Sequence, residues 1–352
     1  MSDRRTPAQL RLLVTGASGF IGSRLALHAH RAGVDVLATG RAETPLEIER
    51  LKELRAAEVP VVEGLLQDAS LVRRLVRDRN IVIHLAAAQH ESHMPRSYFH
   101  TSNVEVVRLL LDECAQADVE RFVYGSTIGV YGDAGGRVLD ETSPVHPDNM
   151  YTQTKLEAES LVRAQADRLP VTIVRIGETY GPGDFRLLKL FRAIDRGRFV
   201  MLGDGSNRRQ CIHVNDLVRG LLLAAQHPAA AGETFILAGR EAMTTTEMVE
   251  RIARALGRTP PRARLPVWPF VLAGALLENT LRPLRIQPPL HRRRLDFFRK
   301  SLVFSIEKAG RTLGFEPQID FLTGAMDTAR WYRARGELSA RTHEPVTHPE
   351  SA

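Results

Sequence analysis

The sequence predicts an α/β protein in which a doubly wound parallel sheet carries a smaller, mostly helical C-terminal lobe. Two observations lead to this fold class. Short apolar runs alternate with helical patterns through the first half of the chain, which is the order that covers both faces of a parallel sheet with helices. At the first junction between an apolar run and a helix, glycines recur at every third position, as expected where a strand turns tightly into a helix.

The alternation begins with the apolar run at residue 12 and continues to residue 177. Beyond it the pattern loosens, although the run at 235–237 predicts a strand that rejoins the main sheet. Thr246 is the predicted N-cap of a late helix that ends at Gly257. Predicted strands also lie at 34–38, 60–63, 81–87, 121–125 and 171–175, and predicted helices at 23–31, 45–57, 70–77, 103–116, 152–166 and 244–256.

These elements divide the chain into two parts and a tail. Residues 8–176, with a returning segment near 206–240, form the predicted dinucleotide-binding sheet domain. Residues 177–205 and 241–335 form the predicted substrate lobe. Residues 336–352 are polar and contain prolines, so we expect a disordered tail.

Composition and charge limit the class of protein. With 352 residues, of which 43% are hydrophobic and 25% charged, the chain has the make-up of an ordinary globular protein. The net charge of +7 suits an anionic small molecule, and its scattered distribution predicts no nucleic-acid partner. The apolar stretch 267–277 is about half as long as a membrane span, so we expect none. Two cysteines in apolar surroundings and a polar N-terminus predict a cytoplasmic protein.

The glycine-rich turn is the first candidate site. Gly16 permits the turn, Gly19 lets a pyrophosphate approach the backbone, and Gly22 allows the helix to pack closely on the strand. The free N–H groups and the helix dipole then attract the anion, as in a Rossmann-type dinucleotide site. The predicted cofactor-binding residues of this turn are Gly16, Ser18, Gly19, Phe20, Ile21 and Gly22.

Tyr151 and Lys155 form the chemical centre that the sequence predicts. Their spacing places a phenol and an ammonium on one face of a helix, where the lysine lowers the pKa of the tyrosine. A tyrosine so tuned exchanges a proton with a carbonyl or alcohol oxygen. Ser126 and Thr127 directly follow a predicted strand, at the edge where an open α/β sheet binds its ligands. A hydroxyl there is placed to hydrogen-bond the substrate oxygen.

The motifs and their order along the chain resemble those of the extended short-chain dehydrogenases/reductases, often called the NAD-dependent epimerase/dehydratase family. The resemblance extends from residue 12 to about residue 335. The matching pieces are Thr15-Gly16-x-x-Gly19-x-x-Gly22, His84-Leu85-Ala86-Ala87, Asn103-Val104, Ser126-Thr127, Val130-Tyr131-Gly132, Tyr151 to Lys155, Arg175, Tyr180-Gly181-Pro182-Gly183, Arg209, Ile212-His213-Val214-Asn215-Asp216, and Lys308-Ala309 to Leu313-Gly314-Phe315-x-Pro317.

The resemblance implies an enzyme that acts on a nucleotide-linked sugar and moves a hydride to or from a nicotinamide. Thr127 aligns with the family's catalytic hydroxyl, and Ser126 would contact the substrate beside it. Tyr151 would be the general acid/base, and Lys155 would tune it and bind the cofactor ribose. Arg209 aligns with an arginine that often holds the substrate's diphosphate.

Two departures from the family narrow the chemistry. The 4,6-dehydratases carry Asp-Glu directly after the catalytic hydroxyl, whereas this chain has Ile128 and Gly129, which cannot do acid/base work. Dehydration is therefore not expected. Many members have an asparagine where this chain has Glu178, and that carboxylate is either a substrate contact or a surface residue.

The cofactor prediction favours NADP and leaves NAD open. The acid that usually bonds the ribose 2′-hydroxyl is replaced by Gly40, followed by Arg41, which suits a 2′-phosphate. Glu43 can still reach the ribose of NAD. Asp68 would lie near the adenine edge and also cap the helix that follows it. The remaining cofactor contacts that the resemblance implies are Leu85, Ala86, Ala87 and Lys155.

The predicted reaction is epimerisation of a nucleotide sugar through a transient ketone, or simple reduction of a ketone. Reduction of a non-sugar carbonyl, steroid-like or flavonoid-like, stays open because of the apolar segment 265–277. A non-catalytic dinucleotide-sensing protein is a further alternative. His84, His90 and His93 lack nearby cysteines or paired carboxylates, so no metal is expected. The resemblance also implies a homodimer packed through the helices predicted at 103–116 and 152–166.

Overall fold

The structure is a computed structural model, and it describes residues 9–89, 94–133, 135–272 and 296–339. The strands are β1 (Arg11–Thr15), β2 (Asp35–Gly40), β3 (Val61–Glu63), β4 (Ile81–His84), β5 (Arg121–Thr127), β6 (Val138–Leu139), β7 (Val171–Ile176), β8 (Glu178–Tyr180), β9 (Met201–Leu202), β10 (Arg208–Arg209), β11 (Cys211–His213), β12 (Thr234–Leu237), β13 (Met243–Thr244), β14 (Arg264–Leu265) and β15 (Val303–Phe304). The helices are α1 (Phe20–Arg31), α2 (Pro45–Ala56), α3 (Ala69–Val76), α4 (Arg96–His100), α5 (Val106–Gln116), α6 (Met150–Ala164), α7 (Leu188–Asp195), α8 (Val214–Gln226), α9 (Thr245–Leu256), α10 (Glu307–Leu313) and α11 (Phe321–Ala334).

The main sheet has seven parallel strands in the order β12-β7-β5-β4-β1-β2-β3, which confirms the predicted fold class. The chain adds β2 and β3 on one side of β1 and then crosses back to add the other strands on the opposite side. The strand order therefore reverses between β1 and β4. Open α/β sheets bind their ligands at the carboxyl ends of the strands beside such a reversal.

Both faces of the sheet are covered, because successive side chains of a strand point to opposite faces. Leu12 and Val14 pack into a core with apolar residues of α1, α2 and α8. Leu13, between them, packs into a second core with residues of α3, α5 and α6. All three side chains are almost completely buried, as the continuous apolar run predicted.

The predicted return of the chain to the sheet is also confirmed. β12 pairs in parallel with β7, with Phe235 opposite Val174. A third core holds α7, α9 and α11 together on the C-terminal side. These helices are the mostly helical lobe that the sequence predicted.

Two local predictions need correction. The N-cap of α9 is Thr244, whose hydroxyl accepts from the backbone N–H of Glu247, and not Thr246. A glutamate three residues after a threonine forms a reciprocal capping box, and this pair outcompetes the later threonine. The helix predicted from residue 103 is α-helical only from Val106, because a π-helical segment precedes it at Thr101–Glu105. Gly257 ends α9 in the left-handed conformation, as predicted.

Several predictions concern residues that the structure does not describe. They are residue 8, His90 and His93, the part of the apolar segment from 273 to 277, and the tail from 340 to 352. Among the described residues, no helix is both long enough and apolar enough to cross a membrane.

Candidate active site

The turn after β1 forms a cradle that only glycine leaves open. Gly16 has a φ of +70°, and a Cβ there would lie 2.6 Å from the backbone nitrogen of Ala86. A Cβ on Gly22 would lie 2.2 Å from the carbonyl oxygen of Gly16. The N-cap of α1 is Gly19, and no side chain of the described residues caps the first N–H groups of this helix. The cradle therefore fits the pyrophosphate of a dinucleotide.

The carboxyl end of β4 is bonded to the end of β1 beside this cradle. The hydroxyl oxygen of Thr15 lies 2.7 Å from His84 Nδ1 and accepts from the N–H groups of Leu85 at 3.3 Å and Ala86 at 3.4 Å. Leu85, Ala86 and Ala87 are half-buried. They line the reversal point of the sheet, in keeping with the cofactor contacts predicted for them, which stay a prediction.

Arg41 lies between two carboxylates just beyond β2. Its guanidinium is 3.3 Å from Glu43 and 3.5 Å from Glu47, and it donates to the hydroxyl of Tyr98 at 3.4 Å. A ribose 2′-phosphate at this place would approach both carboxylates as well as the arginine. The preference for NADP stays a prediction, and these contacts weigh against it.

Asp68 serves as the N-cap of α3, as predicted. Its carboxylate accepts from the backbone N–H groups of Ser70 at 2.9 Å and Leu71 at 3.3 Å, and from the Ser70 hydroxyl at 2.8 Å. Hydrogen bonding to Ser70 lowers the pKa of this exposed carboxyl. A contact between Asp68 and the adenine stays a prediction.

Tyr151 and Lys155 lie one turn apart near the start of α6. Asn149 caps this helix and forms a reciprocal pair with Thr152, which fixes where the helix begins. Tyr151 is half-buried, whereas Lys155 is only 2% exposed. The ammonium of Lys155 lies 4.1 Å from the centroid of the Tyr124 ring. Burial lowers the pKa of Lys155 to about 7, against an opposing contribution from Glu159.

Tyr124 is a site residue that the sequence reasoning missed. It lies on β5, three residues before Thr127, and its ring supports the lysine through a cation–π contact. The imidazole of His84 stacks on the same tyrosine, with ring centroids 6.0 Å apart. Burial and the nearby Lys155 lower the pKa of His84 to about 3, so this histidine is neutral. A polar aromatic in a buried strand just before the candidate hydroxyl was the available signal.

Thr127 ends β5 with its hydroxyl at the carboxyl edge of the sheet. The hydroxyl oxygen accepts from the N–H of Gly129 at 3.1 Å, which fixes the side chain. Among the described residues, no acceptor takes the proton of this hydroxyl. Thr127 is half-buried, so that proton is free to be donated to a substrate oxygen.

Ser126, in contrast, points into a buried ionic network. Its hydroxyl donates to Glu159 at 2.6 Å. Arg175 donates to the same carboxylate at 2.9 and 3.1 Å, and Arg163 donates to it at 2.7 Å. Burial raises the pKa of Glu159, but Arg175, Ser126 and Arg163 together hold it below its ordinary value. A substrate contact for Ser126 stays a prediction, while the network ties α6 to β5 and β7.

The two positions after Thr127 are tightly packed and carry no acidic group. Ile128 is buried, with 7% of its surface exposed. A Cβ on Gly129 would lie 2.8 Å from the methyl carbon of Thr152 and 3.3 Å from the Thr127 hydroxyl oxygen. A larger residue at position 129 would therefore collide with the side chain of Thr152, the residue that follows Tyr151.

Glu178 and Arg209, both predicted substrate residues, form an ion pair. The Nε of Arg209 donates to Glu178 Oε2 at 3.0 Å, and its Nη2 donates to Oε1. Arg209 also donates to the carbonyl of Phe297 at 3.2 Å and lies over its ring. The structure thus joins two residues that the sequence analysis treated separately. Their roles toward a substrate stay predictions.

Comparison with known proteins places this arrangement among known enzymes. Residues 12–238 match the NAD dependent epimerase/dehydratase family. The chain is 29% identical to dTDP-glucose 4,6-dehydratase of Streptomyces niveus, over 97% of both chains. It resembles a double mutant of the dTDP-glucose 4,6-dehydratase DesIV from Streptomyces venezuelae, solved with NAD, at a TM-score of 0.75 and 27% identity, over 94% of this chain and 99% of that one. It also resembles MoeE5 in complex with UDP-glucose and NAD, at a TM-score of 0.71 and 28% identity, over 92% and 99%.

Proposed function

The chain belongs to the NAD dependent epimerase/dehydratase family, and on that premise we propose that it epimerises, or reduces a ketone of, a nucleotide-linked sugar with NAD. The observation that supports the proposal is the contact of Lys155, one turn after Tyr151 on α6, with Tyr124 of β5, the strand that ends at Thr127. β5 pairs with β4, and β4 pairs with β1, whose end leads into the glycine cradle. A fixed hydroxyl, a half-buried phenol and a desolvated ammonium thus lie on two elements that contact each other, β5 and α6. Together they can move a proton at a sugar oxygen.

Each of the three residues has a distinct part in this proposal. The oxygen of Tyr151 accepts the proton of the sugar hydroxyl during oxidation and returns it during reduction. Lys155 favours the ionised phenol, because a buried cation one turn away stabilises it. Thr127 donates its hydroxyl proton to the same sugar oxygen and holds it in place. A bound nicotinamide supplies the hydride acceptor and donor.

We propose NAD as the cofactor, held by the glycine cradle and by Lys155 at the ribose. The two solved relatives compared above contain NAD. Arg41 already has Glu43 and Glu47 as partners, and these carboxylates would oppose a 2′-phosphate. Tighter binding of NADPH than NADH in fluorescence titrations would contradict this assignment.

Epimerisation or ketone reduction fits the site better than dehydration. Elimination of water needs an additional acid and base, and positions 128 and 129 supply neither. In epimerisation, loss of the carbinol hydrogen and of the hydroxyl proton gives a ketone, which is then reduced from its other face. In reduction, a ketone of the substrate enters directly and takes up one hydride and one proton.

Product analysis tests the proposed function. Purified protein with NAD would be incubated with UDP-glucose and with dTDP-glucose, and the sugar would be followed by proton NMR. We expect a change of configuration at one carbon, or reduction when the corresponding keto-sugar is supplied with NADH. Formation of a 4-keto-6-deoxy sugar would contradict the proposed reaction. For the variant Tyr151→Phe, the matched control is Tyr332→Phe. This control removes a buried hydroxyl that donates to the backbone carbonyl of Asp184 in the C-terminal lobe.

A non-sugar carbonyl is the second candidate substrate. Trp268 is 68% exposed, and Leu265 and Leu272 are also exposed, in the segment that leads to residue 273. An apolar ketone would bury such side chains, whereas a nucleotide sugar would leave them in water. Turnover of a steroid ketone with NADH, without turnover of either nucleotide sugar, would favour this candidate.

We also propose a homodimer that packs through α5 and α6 and a cytoplasmic location, as the resemblance and the composition predict. The two helices contact each other along the sheet face that carries Tyr151. Sedimentation equilibrium measures the mass directly. A monomer at micromolar concentration would contradict the dimer.

A further inference from the structure

The ion pair of Glu178 and Arg209 lies next to the strand that carries the catalytic hydroxyl. Glu178 begins β8, two residues after β7 ends at Ile176. Ile176 in turn lies in register with Thr127 of β5. The pair therefore lies on the substrate side of the sheet edge.

Arg209 has all three of its nitrogens engaged. Nε and Nη2 contact the two carboxylate oxygens of Glu178, and Nη1 donates to the carbonyl of Phe297. The ring of Phe297 covers the guanidinium at 4.6 Å. An incoming anion would need the two-pronged edge of the guanidinium, and Glu178 occupies that edge.

The carboxylate is the more accessible partner of the pair. The side chain of Glu178 is 26% exposed, whereas that of Arg209 is 9% exposed. Burial raises the pKa of Glu178, but Arg209 and, to a smaller extent, the nearby Arg186 hold it below its ordinary value, so the carboxylate is ionised. An approaching ligand thus meets a carboxylate before it meets a guanidinium.

We propose that Glu178 is a specificity-determining residue that withholds Arg209 from anionic groups and offers a hydrogen-bond acceptor instead. A phosphate or carboxylate reaches Arg209 only by displacing Glu178, whereas a sugar hydroxyl can donate to the carboxylate of this partly exposed side chain. This part of the site therefore selects hydroxyl groups. The proposal rests on the proposed function, because it concerns how the nucleotide-linked sugar is selected.

The test is the affinity of the NAD-loaded protein for UDP, dTDP and inorganic pyrophosphate, measured by isothermal titration calorimetry. Glu178→Gln keeps the size of the side chain and removes its charge. We expect it to bind at least one of these diphosphates about tenfold more tightly than the wild type, because the arginine can then form a charge-assisted bond with the ligand. Glu178→Asp, which keeps the charge, should gain much less.

Two further variants show whether the gain passes through Arg209. In Glu178→Gln/Arg209→Gln the gain should vanish, since no guanidinium remains to take the diphosphate. Glu337→Gln removes the carboxylate of the pair with Arg192 in the C-terminal lobe and should leave the affinities unchanged. Melting curves with NAD confirm that each variant is folded.

The outcomes separate this proposal from the proposed function. If Glu178→Gln binds UDP and dTDP but has the same affinity as the wild type for all three diphosphates, the selective role of Glu178 is wrong and the proposed function stands. If neither protein binds any of the three diphosphates while both bind NAD, the nucleotide-linked substrate and the role of Glu178 are both contradicted. A gain that persists in the double variant also overturns the role of Glu178.

Discussion

Lys155 and Arg209 are two buried cations near the carboxyl edge of the sheet, and they differ in their partners. Arg209 has a carboxylate, Glu178, on its two-pronged edge. Lys155 has the face of the Tyr124 ring, and no ion pair among the described residues gives its ammonium a carboxylate. Burial lowers the pKa of Lys155 to about 7. Burial also acts to lower the pKa of Arg209, but Glu178 outweighs it and raises that pKa.

The difference shows which charge is available for chemistry. A desolvated cation without a counter-ion destabilises the fold, but it stabilises any anion that forms beside it. A cation that already has a counter-ion does neither. Lys155 is therefore suited to favour an ionised Tyr151, whereas Arg209 stabilises the junction between β8 and the C-terminal lobe.

Of the two cations, Lys155 should have the larger effect on turnover when it is replaced by methionine. We expect kcat to fall about a thousandfold, because the phenol of Tyr151 loses the cation that favours its ionised form. Steady-state kinetics with the substrate identified by NMR would measure this. The matched control is Lys308→Met, which removes an ammonium 5.2 Å from the Phe235 ring, outside the site. If Lys155→Met retained more than about a tenth of the activity, the proposed role of Lys155 in favouring the ionised Tyr151 would be contradicted.

The same two cations should affect stability in opposite directions. Arg209→Met leaves Glu178 without its counter-ion and should lower the free energy of unfolding by about 2 kcal/mol at pH 6. Lys155→Met removes an unpaired buried charge and should raise the free energy of unfolding at the same pH. Urea denaturation followed by circular dichroism measures both. Destabilisation by both variants would contradict the contrast.

The pH dependence of stability sharpens the contrast further. The pKa of Lys155 is about 7 in the folded chain against an ordinary value of 10.5, so between these pH values the unfolded chain binds a proton that the folded chain does not. Stability contributed by this group therefore rises with pH from about 7 to 10.5. We expect wild type to gain stability over this range relative to Lys155→Met. Parallel curves for the two proteins would show that Lys155 keeps its ordinary pKa.

The two neighbouring hydroxyls, Thr127 and Ser126, should have a smaller effect on turnover than Lys155, and they should differ from each other. Thr127→Val removes the hydroxyl that we propose donates to the substrate oxygen, and it should lower kcat about a hundredfold. Ser126→Ala removes only the bond to Glu159 and should lower kcat less than tenfold, with a loss of about 1 kcal/mol in stability. Kinetics and urea titration of both variants test this. A larger kinetic loss for Ser126→Ala would show that Ser126 is the substrate hydroxyl.

Features that depend on local spacing could be predicted from the sequence. The glycine cradle follows from three glycines at a strand-to-helix junction, and the meeting of Tyr151 and Lys155 follows from the pitch of a helix. The parallel sheet follows from alternating apolar runs and helical patterns. In each case the controlling residues are neighbours in the chain.

Features that depend on distant contacts could not be predicted. Glu178 and Arg209 are separated by 31 residues, and only the parallel pairing of β8 with β11 brings them together. The hydroxyl of Ser126 turns to Glu159 because that carboxylate is already fixed by Arg175 on the next strand. The spacing of these residues in the sequence does not indicate that they form such a network.

The most direct test of the account is a single turnover with NAD-loaded protein, followed by the absorbance of reduced nicotinamide after mixing with UDP-glucose or dTDP-glucose. If the protein is an epimerase, we predict that reduced nicotinamide forms with the wild type. In Tyr151→Phe it should form at least a thousandfold more slowly, with NAD affinity nearly unchanged. Equal rates in the two proteins would contradict the role of Tyr151. Absence of reduced nicotinamide with both sugars in the wild type would contradict oxidation of either sugar in this site.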